Sequence, residues 1–242
     1  MDFGVVLATR HLQTLSMTTL TIIVPVYNER GTVRELIQKI TRLDLRDGRA
    51  EIIIVDDGSD DGTAEILNAF GGDFKIFHHP KNLGKGAAIQ TALGQATGDY
   101  IIIQDADLEY DPRDIPELLA AAREKNWPVV YGSRNLGKTR RGYLAYFWGG
   151  KLITFIFNLL YGTKLTDINT GYKLFSRETL LALKLTATGF DFCEEVTAQV
   201  VRAKIEIHEV PISYTPRTFA EGKKISFRDG LRGIWTVIRN RF

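Results

Sequence analysis

Two hydrophobic periods alternate along the first half of the chain. Short runs rich in β-branched residues predict five strands, at residues 20–27, 51–55, 74–77, 100–104 and 129–131. Between the strands, apolar residues recur at helical spacing, as at Val33, Leu36, Ile37 and Ile40, and a further helix is predicted at 115–125. This alternation predicts an α/β fold with a mainly parallel central sheet and helices on both of its faces.

Polar residues follow the predicted strands where each strand ends. They are Asn28 and Glu29, Asp56 and Asp57, Asp105 and Asp107, and Ser133 and Arg134. Ligands of open α/β sheets bind beyond the carboxyl ends of the strands. A cluster of polar and acidic side chains at that edge therefore indicates an enzyme.

The fourth of these strands ends in three acidic residues at alternate positions, Asp105, Asp107 and Glu109. Carboxylates at the end of a buried strand are unfavourable unless they face water or a cation. Hard oxygen ligands suit Mg²⁺ or Mn²⁺, and Mg²⁺ commonly also takes substrate phosphates. Taken alone, the segment fits a metal–diphosphate site and an acidic turn equally. The polar ends of the neighbouring strands favour the metal site.

The composition and the motifs that the chain lacks argue against several classes of function. The chain has 242 residues, enough for one large α/β domain, and a net charge of only +2, which gives no indication of a nucleic-acid partner. Its single cysteine, Cys193, excludes an internal disulfide and a cysteine-based zinc site. The first strand is followed by no G-x-G-x-x-G turn, and no P-loop occurs in the chain, so a dinucleotide fold and a P-loop NTPase are disfavoured.

We divide the chain into a flexible extension at 1–16, a catalytic domain at 17–225 and an amphipathic helix at 226–242. The extension lacks the long apolar core of a secretory signal. The segment Tyr143–Tyr161 is too polar for a clean membrane span, which leaves an interfacial helix and a core helix as alternatives. In 226–242 an apolar face opposes several arginines, which fits a membrane-surface helix or a helix packed on the sheet.

Seven motifs in a fixed order resemble family 2 glycosyltransferases of the GT-A fold, most of all the polyprenyl-phosphate mannose and glucose synthases. The motifs are Pro25–Glu29, Val55–Thr63, Asn82–Gly86, Asp105–Glu109, Gly132–Arg134, Thr166–Lys173 and Glu221–Lys224. The resemblance spans Thr21–Phe242. It implies an inverting, metal-dependent hexosyltransferase that acts on a nucleotide-sugar donor, linked to UDP or GDP, at the cytoplasmic face of the membrane as a peripheral protein.

The resemblance also implies residue roles. The residues implied to bind the nucleotide are Pro25, Tyr27, Glu29, Asp57, Lys85, Asp105 and Ala106. Those implied to bind Mg²⁺ or Mn²⁺ are Asp105, Asp107 and Glu109. Those implied to act in catalysis are Asp105, Asp107, Arg134, Arg217 and Lys223. For Asp57, capping of the helix that follows is an alternative or additional role.

The implied acceptor is a polyprenyl phosphate, held by Arg134 and by Arg140 or Arg141. A phosphate monoester with a second pKa of about 6 is already anionic at neutral pH, so it needs no general base. One alternative is transfer to a saccharide hydroxyl with Glu195 as the base. We favour an orienting role for Glu195 toward Lys or Arg. A catalytically silent relative that binds nucleotide sugars is another alternative, and the oligomeric state is open.

Overall fold

The computed structural model of the chain describes residues 17–46, 48–72, 74–137, 144–218, 222, 224 and 226–242, and the side chains of 144 and 145 are not included. The strands described are β1 (Thr18–Val26), β2 (Gly48–Asp56), β3 (Phe74–His78), β4 (Tyr100–Ile103), β5 (Val129–Ser133), β6 (Lys173–Ser176) and β7 (His208–Pro211). The helices are α1 (Val33–Thr41), α2 (Thr63–Asn68), α3 (Lys85–Leu93), α4 (Ile115–Lys125), α5 (Leu144–Tyr161), α6 (Arg177–Ala182), α7 (Phe192–Arg202) and α8 (Phe227–Arg239). The predicted extension at 1–16 lies outside the described residues.

The strands form one sheet in the order β3-β2-β1-β4-β6-β5-β7. β1 pairs in parallel with β2 on one side and with β4 on the other, and β2 pairs in parallel with β3. These strands are apolar on both sides because helices cover both faces of the sheet. Leu36 and Ile37 of α1 pack in one core cluster, and Ala88 and Ile89 of α3 pack in the other. The predicted α/β fold with a mainly parallel sheet is confirmed.

Two strands were missing from the prediction. The four-residue β6 lies between β4 and β5 and runs antiparallel to both, with Leu174 opposite Ile102 and Val130. β7 adds at the edge, parallel to β5. Because β6 runs in the opposite direction, its first residue, Lys173, lies near the carboxyl ends of β4 and β5. The segment that precedes β6 is therefore brought to the same edge as Asp105 and Arg134.

Helices α5 and α8 pack against each other beside α7. Ile153 and Phe157 of α5 and Val237 of α8 share a buried cluster with Ala198 of α7. The Tyr161 hydroxyl donates to the carbonyl oxygen of Val237 at 3.0 Å. One face of α5 is thus a core face, as one of the two alternatives predicted, and the other face is open. Among the described helices, none is both long enough and apolar enough to cross a membrane.

Candidate active site

The acidic end of β4 lies near the middle of the carboxyl edge of the sheet. Lys85, the first residue of α3, places its Nζ 2.5 Å from Oδ1 of Asp105. Burial disfavours the charged amine, but the neighbouring groups, of which the Asp105 carboxylate is the strongest, together raise the pKa of Lys85. A Cβ at Gly171 would lie 2.5 Å from Oδ2 of Asp105, so glycine is needed there to leave room for this carboxylate. The structure thus brings Lys85 and Asp105, both predicted, into direct contact.

The second and third acidic residues have different surroundings. Burial and the neighbouring carboxylates of Asp105 and Glu109 raise the pKa of Asp107 to about 7. The carboxylate of Glu109 accepts from the Tyr214 hydroxyl at 2.6 Å and from the backbone N–H of Arg217 at 2.7 Å. Within the described part of the chain, no three acidic, histidine or cysteine side chains converge as a metal site. The predicted three-ligand set is therefore not assembled, because Glu109 holds the segment after β7 instead.

Asp105 and Asp107 still fit a divalent cation that also takes phosphate oxygens. Mg²⁺ is usually bound through one or two carboxylates together with substrate phosphates and water. A carboxyl group whose pKa is about 7, beside two further carboxylates, marks a location where a cation would offset the repulsion. These two residues are the ones that could hold Mg²⁺ or Mn²⁺.

Glu29, at the end of β1, joins two cations from the segment after β7. Arg217 Nη2 lies 2.7 Å from one of its carboxylate oxygens, and Lys224 Nζ lies 2.6 Å from the other. Burial raises the pKa of Glu29, but the hydrogen bonds from Arg217 and Lys224 outweigh burial and lower it. Arg217 Nε also donates to the carbonyl oxygen of Asp107 at 2.6 Å. Arg217 therefore spans the gap between the ends of β1 and β4, whereas Lys224 contacts the end of β1.

The contacts of Glu29 were not predicted, because its implied role was nucleotide binding. Lys224 was missed as well, although the adjacent lysines of the last motif were a signal for it. Lys223 lies outside the described residues. Pro25 and Tyr27 lie half-buried at the end of β1, and Ala106 is buried after β4. Their implied nucleotide contacts stay predictions.

Asp57 is almost fully buried and fixes the turn that leads into α3. Its carboxylate accepts from the backbone N–H groups of Leu83 and Gly84 at 2.9 and 2.8 Å, and its Oδ1 lies 2.7 Å from Nδ1 of His79. The alternative role of capping the following helix is not observed, because α2 has Gly62 at its N-cap. Asp57 therefore acts on Lys85 indirectly, by shaping the turn that begins α3. His79 was missed, and no signal in the sequence singled it out.

Arg134 follows β5 and forms an ion pair with Asp167. Its Nε and Nη2 donate to the two carboxylate oxygens of Asp167 at 2.7 and 2.8 Å, and its guanidinium lies 5.1 Å from the ring centroid of Tyr214. Burial raises the pKa of Asp167, but the charge and hydrogen bonds of Arg134, together with the charge of Lys173, lower it overall. Lys173 is fully buried and donates to the carbonyl oxygen of Thr170 at 2.9 Å, which holds the segment that carries Asp167. Arg140 and Arg141 lie outside the described residues.

Glu195 orients backbone rather than the Lys or Arg side chains that we predicted. Both of its oxygens accept from the backbone N–H of Thr186, at 3.1 and 2.9 Å, and Oε2 also accepts from the N–H of Ala187 at 2.8 Å. The loop held in this way packs on the start of α3, where a Cβ at Gly86 would lie 2.2 Å from the carbonyl oxygen of Ala187. With both oxygens engaged, Glu195 is not placed as a general base.

We expect the substitution Glu195→Gln to lower the free energy of unfolding by roughly 1–3 kcal/mol, because an amide NH₂ would face backbone donors. Turnover of the protein that remains folded should stay near normal. Denaturant unfolding together with a transfer assay checks both.

Glu194→Gln is the matched control for this substitution. Burial raises the pKa of Glu194 to about 7, so a neutral amide there should cost little. Unchanged stability of Glu195→Gln with abolished turnover would instead restore the base role of Glu195.

A family model described as glycosyl transferase family 2 matches residues 21–183. The chain belongs to glycosyltransferase family 2. It is 32% identical over 217 residues to an undecaprenyl-phosphate mannosyltransferase of Micrococcus luteus, covering 83% of this chain and 85% of that protein. It is 31% identical over 227 residues to the low-salt glycan biosynthesis hexosyltransferase Agl6 of Haloferax volcanii, covering 92% of this chain. The chain spans only 54% of the length of Agl6.

Solved structures show the same fold. This family 2 chain superposes with a TM-score of 0.73 on glucosyl-3-phosphoglycerate synthase of Mycobacterium tuberculosis in complex with Mn²⁺, UDP and phosphoglyceric acid, at 21% identity, over 93% of this chain and 78% of that one. Mannosyl-3-phosphoglycerate synthase of Rubrobacter xylanophilus gives a TM-score of 0.72 at 22% identity, over 93% and 73% of the two chains. The fold is GT-A-like, as the sequence motifs implied.

Proposed function

We propose that this family 2 glycosyltransferase moves a hexose, with inversion, from a UDP- or GDP-linked sugar to a polyprenyl phosphate. The observation that carries this proposal is the arrangement at the carboxyl edge of the sheet. Lys85 contacts the carboxylate of Asp105 after β4, and Arg134, paired with Asp167, follows β5 at the same edge; we assign the donor to the first group and the acceptor to the second. Such an arrangement suits two phosphate-bearing substrates that meet at one point.

On the donor side, Asp105 and Asp107 would hold Mg²⁺ or Mn²⁺, which acts as a Lewis acid toward the leaving nucleoside diphosphate. Lys85, Arg217 and Lys224 add positive charge around the same region. Glu29 holds the last two cations at 2.7 and 2.6 Å, so a donor diphosphate would compete with Glu29 for them. Our proposal adds Lys223, which lies beside Lys224 in the motif Glu221–Lys224, to these cations. Cations aimed at a leaving diphosphate stabilise the charge that develops on it.

On the acceptor side, the proposal assigns the acceptor phosphate to Arg134 together with Arg140 or Arg141. Asp167 fixes the plane of the Arg134 guanidinium through two hydrogen bonds. An anionic phosphate oxygen attacks without a base, and Glu195 is engaged by backbone amides. The name of the Micrococcus relative supports a polyprenyl phosphate, and the names of the structural neighbours support a phosphate-bearing acceptor in general.

A polyprenyl acceptor lies in a membrane, so the proposal includes peripheral contact with its cytoplasmic face. It also includes a catalytic domain at 17–225 followed by a C-terminal amphipathic helix. No nucleic-acid partner is proposed, since the net charge is only +2.

Incubating the protein with a panel of UDP- and GDP-linked hexoses, Mg²⁺ or Mn²⁺, and a short polyprenyl phosphate tests the function. We expect a lipid-linked product with one donor class, and its loss when EDTA removes the metal. Parallel reactions contain 3-phosphoglycerate or an oligosaccharide in place of the lipid. Product formed only with the oligosaccharide would refute the phosphate acceptor, and calorimetric donor binding without any product would favour a binding module.

A further inference from the structure

Helix α5 exposes a row of large apolar side chains on one side. The row consists of Trp148, Leu152, Phe155 and Leu159, which are 65%, 53%, 65% and 73% exposed. The spacing of four, three and four residues keeps all of them on one side of an α-helix. Side chains of this size usually face a core, so a row of them in solvent indicates a partner.

Helix α8 and the residues after it carry a second row with the same spacing. It consists of Leu231, Trp235, Ile238 and Phe242, which are 55%, 62%, 38% and 93% exposed. α5 and α8 pack on the same buried cluster beside α7, and Arg241 Nε donates to the carbonyl oxygen of Leu160 at 2.8 Å. The two helices therefore lie side by side, and we call their two exposed rows together the two-helix face.

Three arginines border this face along α8. At 3.6 residues per turn, Arg228, Arg232 and Arg239 lie about 60° to 100° around the helix from Leu231. All three are exposed. They lie on the flank opposite Ile234, which packs toward α5. The apolar surface thus has a basic border on its outer side.

We propose that the two-helix face lies flat on an anionic lipid bilayer, with its apolar rows at the acyl boundary and its arginines on lipid phosphates. Two features favour a bilayer over a protein partner. Each row contains one tryptophan, a residue enriched at membrane–water interfaces. The basic border also matches the negative charge of the cytoplasmic leaflet. This inference deepens the proposed function, on which it rests only for the choice of that leaflet.

The two-helix face is connected directly to the active site. α5 begins at Leu144, ten residues after Arg134, and α8 begins at Phe227, three residues after Lys224. Both helices therefore start from segments that carry the proposed phosphate-binding cations. A protein docked through this face would hold its acceptor side close to the membrane surface, where a lipid phosphate is found.

Vesicle binding without donor or acceptor tests the apolar rows. The protein is mixed with phosphatidylcholine vesicles that contain or lack phosphatidylglycerol, and the bound fraction is measured by sedimentation. We expect binding to the anionic vesicles, and a loss of at least tenfold for the double variant Phe155→Ser with Trp235→Ser. The control is Met17→Ser with Leu181→Ser, which removes two other exposed apolar side chains, 55% and 47% exposed, and should bind like the unaltered protein.

A charge-matched comparison tests the basic border. One triple variant replaces Arg228, Arg232 and Arg239 by Gln. The control variant replaces by Gln three exposed arginines around the amino end of β2, Arg42, Arg46 and Arg49. We expect the first variant to lose roughly fivefold in affinity per arginine for anionic vesicles, and the control to lose little. Equal losses in the two variants would show that only overall charge matters, and would overturn the assigned border.

Failure of the unaltered protein to bind anionic vesicles would refute the proposal. So would a stable dimer that dissociates in Phe155→Ser with Trp235→Ser, because a second copy would then cover the face. The vesicle test contains no substrates, and the transfer assay can be run with a short acceptor in detergent. Either proposal can therefore fail while the other holds.

Discussion

The substitution Asp107→Asn is expected to abolish sugar transfer and at the same time to stabilise the fold. Asp107 is half-buried beside Asp105 and Glu109, and its pKa is raised to about 7. We expect the loss of a metal- and phosphate-directed carboxylate to cost roughly 10³-fold in turnover, or about 4 kcal/mol. Removing a half-buried charge that repels its neighbours should raise the free energy of unfolding by about 1–2 kcal/mol above pH 7. A transfer assay and denaturant unfolding at several pH values measure both effects.

The pH dependence fixes the sign of the stability effect. Because the folded pKa of Asp107 lies above its ordinary value of 3.8, protonation favours the folded state. Without metal, the contribution of this group to stability is complete below pH about 4 and is lost as the pH rises through about 7. Asp107→Asn should remove that slope. We expect Mg²⁺ with UDP or GDP to raise the melting temperature of the unaltered protein, and Asp107→Asn should remove this shift as well.

Asp44→Asn is the control, because Asp44 is exposed and accepts a hydrogen bond from the backbone N–H of Arg46 in its own turn. It should leave turnover and the pH dependence unchanged. Normal turnover in Asp107→Asn would contradict the assignment of the donor site.

The second large effect is expected from Asp167→Asn, which should destabilise the protein by about 3–5 kcal/mol. Asp167 is buried and accepts two hydrogen bonds from the Arg134 guanidinium, at 2.7 and 2.8 Å. Asp167→Asn removes the carboxylate charge that offsets the burial of the Arg134 guanidinium. The double variant Arg134→Gln with Asp167→Asn should cost clearly less than the sum of the two single variants. Denaturant unfolding of the four proteins gives this coupling energy.

The exposed pair of Glu35 and Lys39 on α1, 2.7 Å apart, is the control for this cycle. Glu35→Gln should cost less than about 1 kcal/mol. The pKa of Asp167 is lowered in the folded state, so the stabilisation by its ion pair is present above pH about 4 and lost below it. A loss of under 1 kcal/mol in Asp167→Asn would mean that solvent reaches the pair.

In activity, Arg134→Lys separates positioning from charge. Lysine keeps the positive charge but cannot form the planar two-bond contact with Asp167. If Arg134 holds the acceptor phosphate, the KM for the acceptor should rise while the KM for the donor stays the same.

The parallel half of the sheet could be predicted because its signals are local. Hydrophobic periodicity alone predicts the strands β1, β2 and β4 from their apolar runs and the helix α1 from its spacing, without any tertiary information. The four-residue β6 could not be predicted in this way, because it is short and is a strand only through its pairing with β4 and β5. The position of β6 explains why the motif Thr166–Lys173 belongs to the site, because the segment before β6 places Asp167 against Arg134.

The candidate site shows the same division. The acidic end of β4 and Arg134 were found from the sequence because their positions at strand ends are enough to nominate them. The partners were not found, because contacts such as Glu29 with Arg217 join residues 188 positions apart. Glu109 was assigned to the metal by its spacing, whereas in the structure its carboxylate accepts hydrogen bonds from the Tyr214 hydroxyl and from the backbone N–H of Arg217.

The sequence by itself determined the α/β class, the edge of the sheet where the site lies, and the family, because strand and helix periods and the order of the motifs are properties of the chain alone. Only the tertiary structure decided which charges meet. In the folded protein, Asp57 and Glu195 accept hydrogen bonds from backbone amides, and Lys85 forms an ion pair with Asp105. Helices α5 and α8 pack against each other and expose their apolar rows to solvent. The physical reason is that a buried charge needs a partner, and which side chains come within reach depends on how distant segments pack rather than on their spacing along the chain.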